Sequence, residues 1–285
     1  MKKRFVVFIA LAVSLLLLST MTVYSNPPED PRSAFNRVNW QKGPCKGDIG
    51  SLASIDVPPG CLFAGKEDGR FITEKVLQDI SSGHEVGFIF ADNWIIAFEF
   101  DETGYVKDDE KNSLDANAML KSIRESNEET NKERKRRGIP TLEVVGWARQ
   151  PFYNPNTNNL EWAIQGRDEG GQLIVNYNTR YLGRKGVMQV TLASDPSILD
   201  SILPDFRELM KSFNFNKGQK YTEFVQGDKV AEYGLTALVV GGAAAAAAKG
   251  GFFKWAWKIL VGIGIAILAF AKKIFNAIFG RRPEV

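Results

Sequence analysis

Histidine is nearly absent from the sequence: His84 is the only one in 285 residues. One imidazole cannot build a His-rich metal site. No G-x-S-x-G nucleophile turn accompanies it in Ser82-Gly83-His84-Glu85, so His84 reads as a surface residue of a loop. Charge of either sign is not concentrated either, with 36 Lys and Arg against 33 Asp and Glu. A phosphate-binding stripe needs clustered cations, and the densest basic run, 132–137, follows Glu125, Glu128 and Glu129, which offset its field. No nucleic-acid partner is expected. The acidic stretch 101–110 lacks the alternating ligand spacing that an EF-hand places before its glycine, and it reads as a solvated loop leading into a helix. No metal and no cofactor are expected.

Cysteine is almost as scarce. Cys45 and Cys61 are the two present. In an oxidising compartment two such thiols tend to close, and at a sequence separation of 16 a bridge would contribute about 3 kcal/mol through loop entropy. A Cys45–Cys61 disulfide is the expectation, linking neighbouring strands through Asp56-Val57-Pro58-Pro59-Gly60, with two buried free thiols as the alternative.

What the sequence does hold is apolar residues at both ends. Residues 1–25 carry Lys2, Lys3 and Arg4, an apolar run, and Val23-Tyr24-Ser25, the layout of a secretory signal peptide. The run is about 14 residues, short of the roughly 20 that a spanning helix needs, so cleavage rather than retention is expected. Residues 26–39 begin with three prolines and read as an extended leader. At the other end, 231–285 reads as a membrane-anchoring tail with two apolar stretches, 233–248 and 252–271. Trp255 and Trp257 with Lys254 and Lys258 form an interfacial belt at the start of the second. One crossing would put Lys272, Lys273, Arg281 and Arg282 in the cytoplasm, as the positive-inside bias prefers; a hairpin of two would use the small residues 241–248 for close helix contact. Both remain open, as does an amphipathic helix lying in the interface.

Between the ends, residues 40–230 read as one extracytoplasmic α+β domain, a mainly antiparallel sheet covered by helices. Strands are predicted at 94–100, 142–147, 160–164, 173–181 and 187–192. The turns Asn154–Asn159, Gly170-Gly171 and Gly183–Gly186 are too short for parallel crossovers, so consecutive strands run antiparallel. Helices are predicted at 69–80, 114–137 and 196–213; the second ends at Gly138 and Pro140 with its last three turns in water, and the third is kinked or restarted at Pro204. Within 173–181, alternation sends Val175, Tyr177, Thr179 and Tyr181 to one face and Asn176, Asn178 and Arg180 to the other. That second face, with Glu161 or Glu99 as a neighbouring partner, is either a water-facing side of the sheet or a polar recognition surface.

Several runs carry a resemblance: Trp40-Gln41-Lys42-Gly43-Pro44, Gly104-Tyr105-Val106-Lys107-Asp108-Asp109, Leu160-Glu161-Trp162-Ala163-Ile164, Val175-Asn176-Tyr177-Asn178-Thr179-Arg180 and Gly227-Asp228-Lys229-Val230-Ala231. Together they resemble DUF2167, a family of predicted membrane-anchored bacterial proteins known only as a domain of unknown function. The resemblance implies location and architecture but no active residue, and the two cysteines depart from its pattern. The order of strands and the final helix ending Leu209-Met210-Lys211-Ser212-Phe213 are also similar to the PsbP and Mog1 type of α/β/α sandwich. The expectation is therefore a non-enzymatic binding or scaffolding protein of the inner membrane, its main domain in the periplasm, in contact with the lipid bilayer and other envelope proteins. One alternative is an envelope hydrolase using the 101–110 carboxylates with Glu161. Another is a protein whose tail oligomerises in the membrane.

Overall fold

Residues 30–240 are described by a computed structural model. The signal-peptide segment 1–25 and the belt residues Trp255, Trp257, Lys254 and Lys258 lie outside the described residues. In chain order the elements are α1 (Pro31–Phe35), β1 (Gln41–Lys42), β2 (Cys45–Ile49), β3 (Ala53–Val57), β4 (Leu62–Gly65), α2 (Lys66–Phe71), β5 (Glu85–Phe90) and β6 (Trp94–Asp101). They continue with α3 (Ala116–Arg136), β7 (Leu142–Asn154), β8 (Asn159–Asp168), β9 (Leu173–Leu182), β10 (Val187–Ser194), α4 (Leu199–Lys211), β11 (Asn214–Phe215) and α5 (Leu235–Val240).

The short turns between residues 154 and 187 fix half of the main sheet. They pair β7 with β8, β8 with β9 and β9 with β10, all antiparallel. The full order is β1-β4-β5-β6-β10-β9-β8-β7, with a separate sheet β11-β3-β2. One face of the main sheet buries Ile96, Phe98, Val190 and Leu192 against the small sheet and α4. Ile202, Leu203, Phe206, Leu209 and Met210 recur every three or four residues along α4, and each is buried, so each contributes about 1.5–3 kcal/mol of apolar burial. Pro204 is inside α4 without ending it. It lies on the exposed side, where its missing N–H is tolerated at the cost of one helical bond.

The opposite face carries two separate apolar clusters. One joins Ala34, Phe35, Ile72 and Val76 to Phe88, Ile95 and Ala97. The other joins Met119, Ile123, Leu235 and Leu238 to Leu160, Trp162, Leu182 and Val187.

Four expectations change. The stretch 26–39 is not wholly an extended leader: Asp30 accepts from the Ser33 amide, Pro31 starts α1, and Ala34, Phe35 and Val38 enter the core. The first predicted helix starts earlier, at Lys66, and continues from α2 into a π-turn at Ile72–Val76. The last turns of α3 do not stand in water. Asn127 and Asn131 both donate to Leu142 O at 2.7 Å, and Arg124 donates to Val145 O, also at 2.7 Å, so α3 covers the start of the outer edge of β7. Finally, the folded domain extends past residue 230, because Leu235, Ala237, Leu238 and Val239 of α5 are buried.

Cys45 is half-buried at the start of β2, and Cys61 is buried just before β4. Both are free thiols in this structure.

Candidate functional site

Between the two apolar clusters of the helix-covered face runs a band of polar side chains. Strand register puts them in one row: Arg180 of β9 faces Gln189 of β10, which faces Glu99 of β6, and Asn178 faces Thr191. Alternation sorted this strand as expected, with Asn176, Asn178 and Arg180 on one side. It did not reveal that the side is covered. Asn176 is 0%, Asn178 2% and Arg180 7% exposed, so the face is neither water-facing nor an open recognition surface. α1 and the π-turn cover it at one end, and α3 and α5 at the other.

Glu161 does not belong to this row. It pairs with Thr179 and therefore points to the α4 side, where it accepts the Tyr177 hydroxyl and, at 3.0 Å, the Asn159 amide. Arg207 of α4 stands 3.8 Å from it. Burial and the adjacent Glu161 carboxylate push the Tyr177 hydroxyl up to about 12, so Tyr177 acts as a hydrogen-bond donor to Glu161.

The row contains one cation and several carboxyls. Arg180 lies over the Trp162 ring at 4.7 Å. Among the described residues its guanidinium donates one long hydrogen bond, 3.5 Å to Thr179 O, although it has five N–H groups. Burial depresses Arg180 to about 10, and the nearby Glu99 and Asp101 partly offset that. Glu99 is pushed up to about 7, first by burial and then by the neighbouring Glu85, against a lowering contribution from its bond to Ser82. Ser82 joins the two carboxyls: its hydroxyl donates to Glu99 at 2.5 Å and its amide to Glu85 at 3.1 Å. His84 is tied into the same corner through Nδ1, 3.1 Å from Phe100 O.

The amides are incompletely used. Asn178 donates to Asn176 O at 3.2 Å and accepts from Thr191 at 3.3 Å. Both polar atoms of the Asn176 side chain lack a partner among the described residues. An unpaired buried amide costs about 1–3 kcal/mol, and a weakly bonded buried guanidinium costs more. The row thus holds donors at Arg180 and Asn176 that no described group takes up.

The carboxylates of the 101–110 loop are arranged differently from a catalytic pair. Asp101 accepts the Tyr233 hydroxyl at 2.8 Å, and Glu110 accepts the Thr236 amide at 2.8 Å at the start of α5. Asp101 shares its row with Val187 and so lies on the face opposite Glu161. The sheet thus separates Asp101 from Glu161. Among the described residues no group of three or more His, Cys, Asp and Glu side chains could hold a metal. An open groove of about 780 Å³ at the other end of the sheet, lined in part by Gln41, Asp48, Phe63 and Lys66, is a separate feature.

Sequence reasoning missed Ser82, Glu85 and Thr191. It named Glu99 only as a neighbour, although a carboxylate inside Trp94-Ile95-Ile96-Ala97-Phe98-Glu99-Phe100 is itself a signal.

No curated protein matches the chain in sequence. Among solved structures it is similar to the PsbP of the cyanobacterium Synechocystis sp. PCC 6803, with 8% identity over 60% of this chain and 90% of that one, at a TM-score of 0.35. It is also similar to the Saccharomyces cerevisiae Ran-binding protein Mog1p, with 11% identity over 66% of this chain and 100% of that one, at a TM-score of 0.30. The family model described as "Protein of unknown function (DUF2167)" matches residues 41–272. That span takes in the whole of the main sheet and the polar row within it, and the chain belongs to the DUF2167 family.

Proposed function

We propose that this chain is an exported, non-enzymatic binding protein tethered to a bacterial inner membrane, with its domain in the periplasm and a small polar ligand held at the Arg180–Glu99–Asn176 row. The observation that carries the reading is the incomplete hydrogen bonding of that row, in which, among the described residues, the Asn176 side-chain amide has no partner and the Arg180 guanidinium has one long bond. Folding alone would favour apolar residues there, because replacing buried polar groups by well-packed hydrophobic ones is often stabilising.

The tether we propose crosses the membrane once. Among the described residues no helix is long and apolar enough to cross a membrane. Because α5 uses Leu235–Val240 for the domain core, the first apolar stretch keeps only 241–248 for a crossing. Eight helical residues reach about 12 Å, against a hydrocarbon core of about 30 Å. The stretch 252–271 has the required length, and one crossing leaves Lys272, Lys273, Arg281 and Arg282 in the cytoplasm.

Native mass spectrometry of the full-length protein, extracted in mild detergent, tests the site. A small-molecule adduct is expected on the wild type and absent from Asn176→Leu and Arg180→Met, with Asn176→Leu at least as thermostable as the wild type. Wild-type protein that carries no adduct and is not stabilised by any member of a panel of small carboxylates, phosphates and amides would refute the binding role. A cytoplasmic fluorescent reporter fused after residue 285 tests the single crossing. It should fluoresce, and a dark fusion paired with active alkaline phosphatase at the same position would overturn that topology.

A further inference from the structure

Five large apolar side chains stand exposed among the described residues, and three of them fall within one seven-residue stretch: Phe224 at 36%, Val225 at 52% and Val230 at 39%. A contiguous cluster of this kind marks an interaction surface more often than scattered single residues do.

The stretch is held rigidly. The Tyr105 ring packs against Tyr221 at 4.4 Å and Phe224 at 4.2 Å. Tyr105 also forms a β-bridge with Val230. Arg184 clasps Asp228 through two bonds of 2.7 and 2.9 Å, and Asp228 accepts the Val225 amide at 2.9 Å. The apolar tips are therefore presented outward by a fixed frame.

Three exposed lysines join the frame through their backbone. Gly104 N donates to Lys185 O, Tyr105 N donates to Lys229 O, and Gly183 bridges to Lys220. All three lysines are exposed. Of the nearby acids, Asp228 is paired with Arg184, while Glu223 accepts the Gly218 and Lys220 amides and keeps its charge. Glu102 and Glu232 are exposed and offset part of the lysine charge.

We infer that this surface rests on the bilayer, with Phe224, Val225 and Val230 entering the acyl boundary and Lys185, Lys220 and Lys229 at the level of anionic lipid phosphates. The inference rests on the tether proposed above. The described chain ends at Val240, and eleven residues, 241–251, separate it from the apolar stretch 252–271. Fully extended they span about 40 Å, so one face of the domain stays close to the membrane. Apolar tips flanked by lysines match the interfacial zone in polarity.

The full-length chain, reconstituted in liposomes of phosphatidylethanolamine and phosphatidylglycerol, tests this with p-benzoylphenylalanine at position 225. Position 152 serves as the control, since Phe152 is 59% exposed on the edge strand β7. Irradiation should yield at least fivefold more phospholipid adduct at 225 than at 152, and at least threefold less at 225 when the liposomes are pure phosphatidylcholine. Equal lipid labelling at the two positions, a predominantly protein adduct at 225, or no dependence on anionic lipid would overturn the inference while leaving the tether intact. A chain that fails to float with the liposomes would overturn the tether, and the bilayer contact with it.

Discussion

Glu99 offers the sharpest test of the energetics. Its carboxyl is raised from an ordinary 4.5 to about 7 in the folded protein, chiefly by burial. The folded state therefore holds a proton that the unfolded chain releases at lower pH. The stability linked to this proton is fully present below pH 4.5 and is lost as the pH rises through 7. The gap corresponds to about 3 kcal/mol. Glu99→Gln mimics the protonated form and keeps an acceptor oxygen for the Ser82 hydroxyl. It should match the wild type near pH 4.5 and exceed it by up to about 3 kcal/mol at pH 8.5. For a domain of this size that is a rise in Tm of roughly 6–12 °C at the alkaline end. Thermal unfolding of the detergent-solubilised full-length proteins, followed by circular dichroism at half-unit steps from pH 4.5 to 8.5, gives the difference directly. Taking that difference cancels the other titrating groups. A variant less stable than the wild type at pH 8.5, or a difference independent of pH, would mean that Glu99 is ionised and that its attraction to Arg180 outweighs its desolvation.

Three further outcomes follow from contacts away from the row. Arg134 and Asp79 form a 2.6 Å pair with side chains 2% and 1% exposed, so Arg134→Met should cost about 3–5 kcal/mol, while Arg134→Met combined with Asp79→Leu recovers most of it in urea denaturation. A Cβ on Gly186 would lie 2.1 Å from Asp101 O, so Gly186→Ala should force β6 and β10 apart and lower stability by about 1–3 kcal/mol, read from the urea midpoint. Burial raises the Cys61 thiol, and Cys45 is the more exposed of the two. Iodoacetamide on reduced native protein at pH 8 should therefore label Cys45 at least tenfold faster, as peptide mass spectrometry will show.

The strands from residue 142 to 194 were legible because their turns are short and written in glycine and asparagine. The second helix was legible at both ends, with Asp115 accepting from two amides at the start and Gly138 left-handed at φ +70° after its end. Strand β5 was not seen, because all six of its residues are buried and no alternation remains to mark it. The site was half legible. A period of two sorts Asn176, Asn178 and Arg180 from Tyr177 and Thr179, but it cannot tell which face the helices will cover, nor that Glu161 enters the register opposite Thr179 and so turns away from Arg180. Those facts depend on long-range packing of α1, α3 and α5, which local pattern does not encode.

The same packing explains why an acidic loop that suggests chemistry is structural here. Asp101 holds Tyr233, Tyr105 holds Val230, Glu102 O accepts Lys229 Nζ at 3.3 Å, and Glu110 holds the first turn of α5. The loop clamps the segment through which the chain leaves the domain. Asp101 is also one of the carboxylates whose field partly offsets the desolvation of Arg180. One carboxylate thus belongs both to the buried polar row and to the fastening of the C-terminal segment. The 2.8 Å bond from Tyr233 to Asp101 therefore ties the edge of the row to the segment that leads out of the domain.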